Sequence, residues 1–231
     1  MNLVLRKEVK YMVNEVSSHK LERTLQEIIK SDPHNGINGY MIRSLYFDTI
    51  DDKDYHDKED GAYNRRKIRL RIYDVNDDFA FLEMKQKTGD NQEKRSLKIS
   101  KEDALKLCKS NYSCLLNYDS LFATECYTTM VSECYRPASI VEYDRRAYYA
   151  NENNIRITFD QNIRATESNF NIFDKNLKLY PVLDLDKIVL EVKYNGFLLS
   201  YIKDVIKSID KSSLSVSKYC LSRSIKYRYI V

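Results

Sequence analysis

The sequence predicts an α+β fold in which about eight antiparallel strands form a closed or nearly closed β-tunnel with helices packed outside. Three observations support this prediction: apolar and polar residues alternate with period two in several stretches, few helices lie between those stretches, and the chain holds 19 Tyr but only 5 Gly and 3 Pro. Aromatic and β-branched residues favour strands, and few breakers favour long ones. Because parallel strands need long crossovers, the scarcity of helices indicates antiparallel pairing.

Alternation is strongest in stretches that we predict as strands, namely residues 3–13, 40–48, 66–74, 79–87, 93–99, 138–149, 154–164 and 187–194. Apolar residues at helical spacing predict helices over 18–30 and 197–209, with a weaker signal over 119–134. Ser100 and Asp103 have capping-box spacing and predict a helix that runs through Cys108. We expect these apolar stripes to pack on the core of a single domain spanning 1–231.

The composition narrows the class of function. The chain has 38 Lys and Arg against 34 Asp and Glu, a formal net charge of +4, which is too mild to indicate nucleic acid by itself. Five Cys without a CxxC pair and three scattered His give no zinc-site pattern. No stretch is apolar enough for a signal peptide or a membrane span. We therefore expect a cytoplasmic protein without nucleic acid and without membrane insertion of its own; a membrane-bound partner and the oligomeric state stay open.

Charge is concentrated on one face of several predicted strands. In the third of them, Lys67, Arg69 and Arg71 share one face, opposite Ile68 and Leu70. The pattern Glu-x-Lys recurs on three other strands, as Glu8 and Lys10, Glu83 and Lys85, and Glu191 and Lys193. In a further strand Arg156, Thr158 and Asp160 oppose an apolar face.

Each of these strands alone is consistent with a solvated face of an amphipathic sheet. Their repetition, with few uncharged polar residues, favours an anion instead. Cations spaced roughly 6.6–7 Å along a strand, and repeated on its neighbours, repel one another unless an anion lies among them. Arg offers forked donors and Lys a point charge, and both suit phosphate. Carboxylates in such a wall would balance charge or hold a divalent metal that bridges phosphate oxygens.

Motifs occur in order along nearly the whole chain: KEVKYMV, SLYFDT, RLRIY, LEMKQK, EYDRRAYY, IRITFD, LEVKYNG and SKYCLS. As an ordered series they resemble the VTC domain, the catalytic polyphosphate polymerase domain of the vacuolar transporter chaperone family. That domain belongs to the triphosphate tunnel metalloenzyme superfamily, together with the CYTH-type phosphatases. The resemblance implies transfer of the γ-phosphoryl group of ATP to phosphate or to a growing polyphosphate chain.

The resemblance also implies a set of site residues. Those that would bind the triphosphate or polyphosphate are Lys10, Arg69, Arg71, Lys85, Tyr143, Arg145, Arg156, Lys193, Ser217 and Lys218. Catalytic roles fall to Lys85, Arg145, Glu191 and Lys193. Glu191 would hold Mn²⁺ or Mg²⁺, with Glu83 and Glu8 as weaker metal ligands. Lys94 or Arg95 would supply a further cation.

One departure from the wider superfamily bears on the reaction. CYTH-type phosphatases typically begin with ExExK, whereas Arg6 stands here at the first Glu position, which favours the VTC branch. Two alternatives remain open: a metal-dependent triphosphatase that uses water as the acceptor, and a non-catalytic polyphosphate-binding module. Nucleic-acid binding is the least supported alternative, because the interleaved Glu residues would repel a phosphate backbone.

Overall fold

The computed structural model describes residues 6–89, 91–213 and 217–223, with only the backbone of Arg6. Within these residues the fold is α+β, with a large antiparallel sheet and six α-helices. The strands are β1 (Arg6–Asn14), β2 (Lys30–Ser31), β3 (Tyr40–Thr49), β4 (Asn64–Ile72), β5 (Phe79–Thr88), β6 (Asn91–Ser100), β7 (Tyr135–Ala150), β8 (Ile155–Thr166), β9 (Tyr180–Pro181), β10 (Lys187–Asn195) and β11 (Ser212–Ser213). The helices are α1 (Glu15–Ile28), α2 (Lys53–Glu59), α3 (Lys101–Leu107), α4 (Leu121–Ser132), α5 (Ser200–Lys207) and α6 (Lys218–Arg223).

The predicted strands and helices are confirmed, with small shifts at their ends; residues 3–5 of the first predicted strand lie outside the described residues. Ser100 caps α3 as predicted, since its hydroxyl accepts a hydrogen bond from the Asp103 amide at 3.1 Å. The sequence did not predict α2, α6 or the three two-residue strands. Elements this short carry too few residues to show a period.

Closure of the sheet is not confirmed. Hydrogen-bonded strands follow the order β11-β1-β10-β8-β7-β3-β4-β5-β6, with β2 on β7 and β9 on β8, and no described pairing joins β11 to β6. Of the expected closed or nearly closed tunnel, the described residues therefore show the large antiparallel sheet but not its closure. Alternation identifies the two faces of a strand but not the partner of an edge strand, so the sequence could not decide closure.

The chain divides into two compact units. The first comprises residues 1–41, 143–163 and 183–216, and the second comprises 42–142, 164–182 and 217–231. Strands β3, β7 and β8 each contribute residues to both. The single domain spanning 1–231 stays a prediction.

In the first unit, β10 pairs with β1 on one side and with β8 on the other. The register places Val9 opposite Val192, and Val192 opposite Ile157, so these residues share one apolar face. That face forms a core together with residues of α1 and α5, including Leu21 and Ile202. The alternate residues of the same strands, which carry the predicted charges, are thereby turned to the opposite face.

In the second unit, β3, β4, β5 and β6 pair in sequence order. A row of leucines crosses all four strands, formed by Leu45, Leu70, Leu82 and Leu97. This row belongs to the second core, to which α3 and α4 contribute buried side chains. Here too the core fixes the orientation of the charged residues, because a one-residue slip would exchange the two faces.

No helix in the described parts of the chain is both long and apolar enough to cross a membrane.

Candidate functional site

The charged face of the second unit is built from directly opposed residues. Lys67, Lys85 and Lys94 lie side by side on β4, β5 and β6. In the neighbouring row, Arg69 on β4 lies opposite Glu83 on β5. Like charges directly opposite each other destabilise a sheet. The row of three lysines therefore needs a negative partner.

Glu83 supplies part of that negative charge. Its carboxylate is 4% exposed and accepts a hydrogen bond from Arg69 Nε at 2.7 Å, and it also pairs with Lys94. Burial acts to raise the pKa of Glu83, but Arg69 and Arg71 outweigh it and lower the pKa to about 2. A carboxylate held by this many cations is suited to balancing charge, so it remains a weaker candidate for a metal ligand.

Tyr46 belongs to the same face, and the sequence analysis did not select it. It lies opposite Arg69, whose Nη1 donates to the phenol oxygen at 3.2 Å. Burial acts to raise the pKa of this phenol, but Arg69 and Arg71 outweigh it and lower the pKa to about 8. The available signal was alternation within the SLYFDT motif, which puts Tyr46 on the face opposite Leu45 and Phe47.

The carboxy-terminal motif SKYCLS reaches this face through Ser217. The Ser217 hydroxyl accepts a hydrogen bond from Lys67 Nζ, and the Tyr219 hydroxyl donates to Asp48 on β3. The Tyr219 ring stacks on Tyr46 with centroids 5.1 Å apart. Lys218, also predicted, is the first residue of α6. The structure thus brings Ser217 to the cationic face, and its predicted contact with phosphate stays a prediction.

The first unit has its own charged face, on β1, β10 and β8. Glu8 lies opposite Lys193, and Lys10 lies opposite Glu191, so the signs alternate along and across the strands. Lys10 Nζ is 3.1 Å from Glu8, and Lys193 Nζ contacts Glu191 and lies 3.9 Å from Glu8. Four of the predicted site residues therefore form one cluster.

Burial shapes the protonation of this cluster. Lys193 has a lowered pKa, chiefly because burial disfavours its ammonium form, although Glu191 and Glu8 oppose the shift. Arg145 also contributes to lowering the pKa of Lys193 through charge repulsion. Burial therefore opposes the ammonium form of Lys193, and the neighbouring carboxylates favour it.

The predicted arginines of the first unit have protein carboxylates as partners. Arg145 donates from Nε and Nη2 to Asp160 at 2.6 and 2.7 Å, and its guanidinium lies 5.3 Å from the Tyr143 ring centroid. Arg156 donates to Asp32 at 2.7 Å. The two parallel hydrogen bonds to Asp160 fix the orientation of the Arg145 guanidinium, whereas Arg156 makes a single hydrogen bond to Asp32. The sequence analysis placed Asp160 on the charged face but did not predict this pairing.

Burial distinguishes both faces from an ordinary solvated surface. Arg71 is 7% exposed in the second unit, and Glu191 is 5% exposed in the first. Asp160 is fully buried. Ionised groups are rarely buried to this extent unless paired or engaged with a ligand. The solvated-face interpretation does not account for these residues.

The metal hypothesis can be tested against the donors present. Glu191 and Glu8 both approach Lys193, and the register puts Thr158 opposite Glu191. The Thr158 hydroxyl is buried with no hydrogen-bond partner among the described residues. The described residues contain no group of three or more His, Cys, Asp or Glu side chains placed to hold a metal ion. Two carboxylates suit a Mg²⁺ or Mn²⁺ ion whose other ligands are water and phosphate oxygens. They do not form a site in which the protein supplies every ligand.

The sequence left open whether Lys94 or Arg95 joins the cationic face. Lys94 lies opposite Lys85 and contacts Glu83, which places it there. Arg95 lies opposite Met84, on the other face, and donates to Glu125 on α4. Arg6 stands at the first Glu position of the ExExK motif and was the residue that favoured the VTC branch. Its side chain lies outside the described part of the structure.

Comparisons with known proteins place the chain in context. The VTC domain family matches residues 5–227. Among solved structures, a putative adenylate cyclase from Bacillus halodurans aligns with a TM-score of 0.50 and 13% identity, covering 98% of this chain and 100% of that one. A putative adenylate cyclase from Vibrio parahaemolyticus aligns with a TM-score of 0.46 and 12% identity, covering 88% and 86%. At 13% identity, the likeness to the Bacillus halodurans structure concerns the fold alone. Comparison with curated proteins returned no match.

Proposed function

The chain belongs to the VTC domain family, and from this premise we propose that it is a polyphosphate polymerase that transfers the γ-phosphoryl group of ATP to phosphate or to a growing polyphosphate chain. The observation that carries the proposal is the row of Lys67, Lys85 and Lys94 on adjacent strands. A phosphate chain offers repeated negative charge at a spacing that several cations can share. A substrate with a single negative charge would interact with only part of this row.

In this proposal, cations of each unit bind phosphate groups. Arg69 and Arg71 would hold phosphate oxygens with forked donors, and Lys85 would neutralise charge on the transferred group. In the first unit, Lys10, Arg145, Arg156 and Lys193 would bind phosphate, with Tyr143 orienting Arg145. Ser217 and Lys218 would contribute donors in the second unit. Glu191 is assigned to the metal, with Glu8 as the weaker ligand and Glu83 weaker still.

Phosphoryl transfer needs positioning and charge neutralisation more than covalent chemistry by the protein. The bond between the γ-phosphorus and the β,γ-bridging oxygen breaks, and its electron pair leaves with ADP. A terminal oxygen of the acceptor phosphate forms the new bond to the γ-phosphorus. When bound, Mn²⁺ or Mg²⁺ would supply positive charge beside the phosphate oxygens. The Lys and Arg side chains would position the reacting groups and neutralise their charge, so no nucleophilic side chain is needed.

The decisive experiment is incubation of the purified chain with ATP and Mn²⁺ or Mg²⁺, with the products separated on a gel. We expect a ladder of acid-labile phosphate chains together with ADP. Free phosphate alone would replace this proposal with a triphosphatase that uses water as the acceptor. If polyphosphate binds but no nucleotide is turned over with either metal, the chain is a binding module and not an enzyme.

A pair of neighbouring substitutions tests the orientation of the cationic face. Lys94→Ala should weaken polyphosphate binding roughly tenfold, the scale of one lost charge-assisted contact, whereas Arg95→Ala should leave it unchanged. The residues are adjacent in sequence and equal in charge, but they lie on opposite faces of β6. Fluorescence anisotropy with a labelled polyphosphate measures both. Equal losses for the two variants would mean that net charge, and not the face, determines affinity.

A further inference from the structure

A pocket of about 330 Å³ lies in the first unit, on the face of β1 and β10 that is opposite to the charged cluster. Lys7 and Val9 of β1 and Val192 and Tyr194 of β10 line it, and they belong to the face opposite Glu8 and Glu191. Residues of α5 and of the segments on either side of it complete the lining. The pocket is therefore separate from every residue assigned to phosphoryl transfer above.

The lining contains cations and no acidic residue. Four lysines contribute to it, namely Lys7, Lys203, Lys207 and Lys211. For Lys7, Lys203 and Lys207, no ion pair with any described carboxylate is present. A concave site lined by charge of one sign concentrates ions of the opposite sign. An anionic group is the natural occupant of the lysine side of this pocket.

The remainder of the lining is apolar and aromatic. Val9 and Val192 lie opposite each other, and the rings of Tyr11, Tyr194 and Phe197 also line the pocket. The Phe197 side chain has no core role, because the residue is 66% exposed. Lys211 already lies 5.6 Å from the Tyr11 ring centroid, so a cation and a ring occur side by side here. Rings and aliphatic side chains bind the flat or apolar part of a ligand.

We propose that this pocket binds a small organic phosphate that carries an aromatic ring, of the nucleoside monophosphate class. Its phosphate would contact the lysines of α5, and its base would lie against Tyr194 and Phe197. The volume is at the lower end for small-molecule sites, which suits one ring and one phosphate better than a long chain. Lysine stems are flexible enough to close on a compact, multiply charged phosphate.

The test measures AMP binding by calorimetry. Adenosine serves as the probe that lacks the phosphate, and ribose 5-phosphate as the probe that lacks the base. We expect AMP to bind with one site and each fragment to bind at least about tenfold more weakly. Lys203→Glu combined with Lys207→Glu, and separately Phe197→Ala, should each reduce AMP affinity by a similar factor. All three residues are exposed, so the variants should fold. Lys20→Glu with Lys30→Glu is the charge-matched control elsewhere on the first unit, and it should leave the affinity unchanged.

Three results would overturn the proposal. Ribose 5-phosphate binding as tightly as AMP would mean that the rings are not used. Loss of AMP binding in Arg69→Ala, with the lysine variant unaffected, would place AMP on the cationic face of the second unit. The chain could instead pellet with phosphatidylcholine–phosphatidylserine vesicles, lose this binding in the double lysine variant, and not bind AMP. The lysines would then contact lipid. Because the experiment measures AMP binding, the proposal for this pocket would stand even if the chain made no polyphosphate.

Discussion

Glu191→Gln is expected to abolish phosphoryl transfer while preserving most binding of polyphosphate. The substitution keeps the shape of the side chain but removes its negative charge, which the proposed divalent metal needs. We expect turnover of ATP to fall by at least about 100-fold, the scale observed when one group that stabilises transition-state charge is lost. Affinity for polyphosphate should change little, because the cations of both units are retained. Product formation on a gel and anisotropy with labelled polyphosphate measure the two quantities.

Two controls make this result interpretable. Binding of Mn²⁺, followed by calorimetry in the presence of a non-hydrolysable ATP analogue, should weaken in Glu191→Gln. Glu27→Gln makes the same chemical change on the exposed surface of α1, and it should alter neither turnover nor metal binding. If Glu191→Gln turned over ATP at the normal rate, Glu191 would not hold the metal. The assignment would then pass to Glu8.

Arg145→Ala is expected to lower the free energy of unfolding by about 3–5 kcal/mol, the range for breaking a buried ion pair. Asp160 is fully buried and receives two hydrogen bonds from the Arg145 guanidinium, at 2.6 and 2.7 Å. The substitution removes both bonds while the carboxylate stays inside. Arg145 was predicted as a catalytic residue, so any loss of activity has to be separated from this loss of stability. Urea denaturation followed by circular dichroism gives the free energy.

The double variant Arg145→Met with Asp160→Asn separates the two roles. Removing both charges together should recover most of the stability, because no unpaired charge then stays buried. If Arg145 also binds phosphate, the double variant should fold well yet bind polyphosphate poorly. A double variant as unstable as Arg145→Ala would contradict the ion-pair explanation. Normal polyphosphate binding in the stable double variant would remove Arg145 from the substrate site.

The alternation of apolar and charged residues made it predictable which side of each strand carries the charges. Lys67, Arg69 and Arg71 lie on one side of β4 because Ile68 and Leu70 must enter the core, and this information is entirely local. The same reasoning placed Glu191 beside Lys193 and opposite the apolar face of β10. Burial of these charges was not predictable in the same way, because exposure depends on what covers a face.

Contacts that depend on strand register or on segments distant in sequence were not predictable. The Arg145 pair with Asp160 depends on how β7 aligns with β8, and the Arg156 pair with Asp32 depends on where the segment after β2 lies. Tyr46 was missed because a tyrosine in an apolar-looking motif is ordinarily interpreted as packing. Whether the sheet closes fully was left open, since edge pairing leaves no periodic signature in one sequence.

The register of β1 with β10 has a consequence for how this gene can vary in length. One side of the pair carries Glu8 and Glu191, and the other carries Val9 and Val192. Inserting or deleting a single codon within either strand would rotate every later side chain by half a turn, sending carboxylates into the core and valines to the charged side. Two-residue changes would preserve the alternation. We therefore expect single-codon length changes to be tolerated in the connecting loops but not within these two strands.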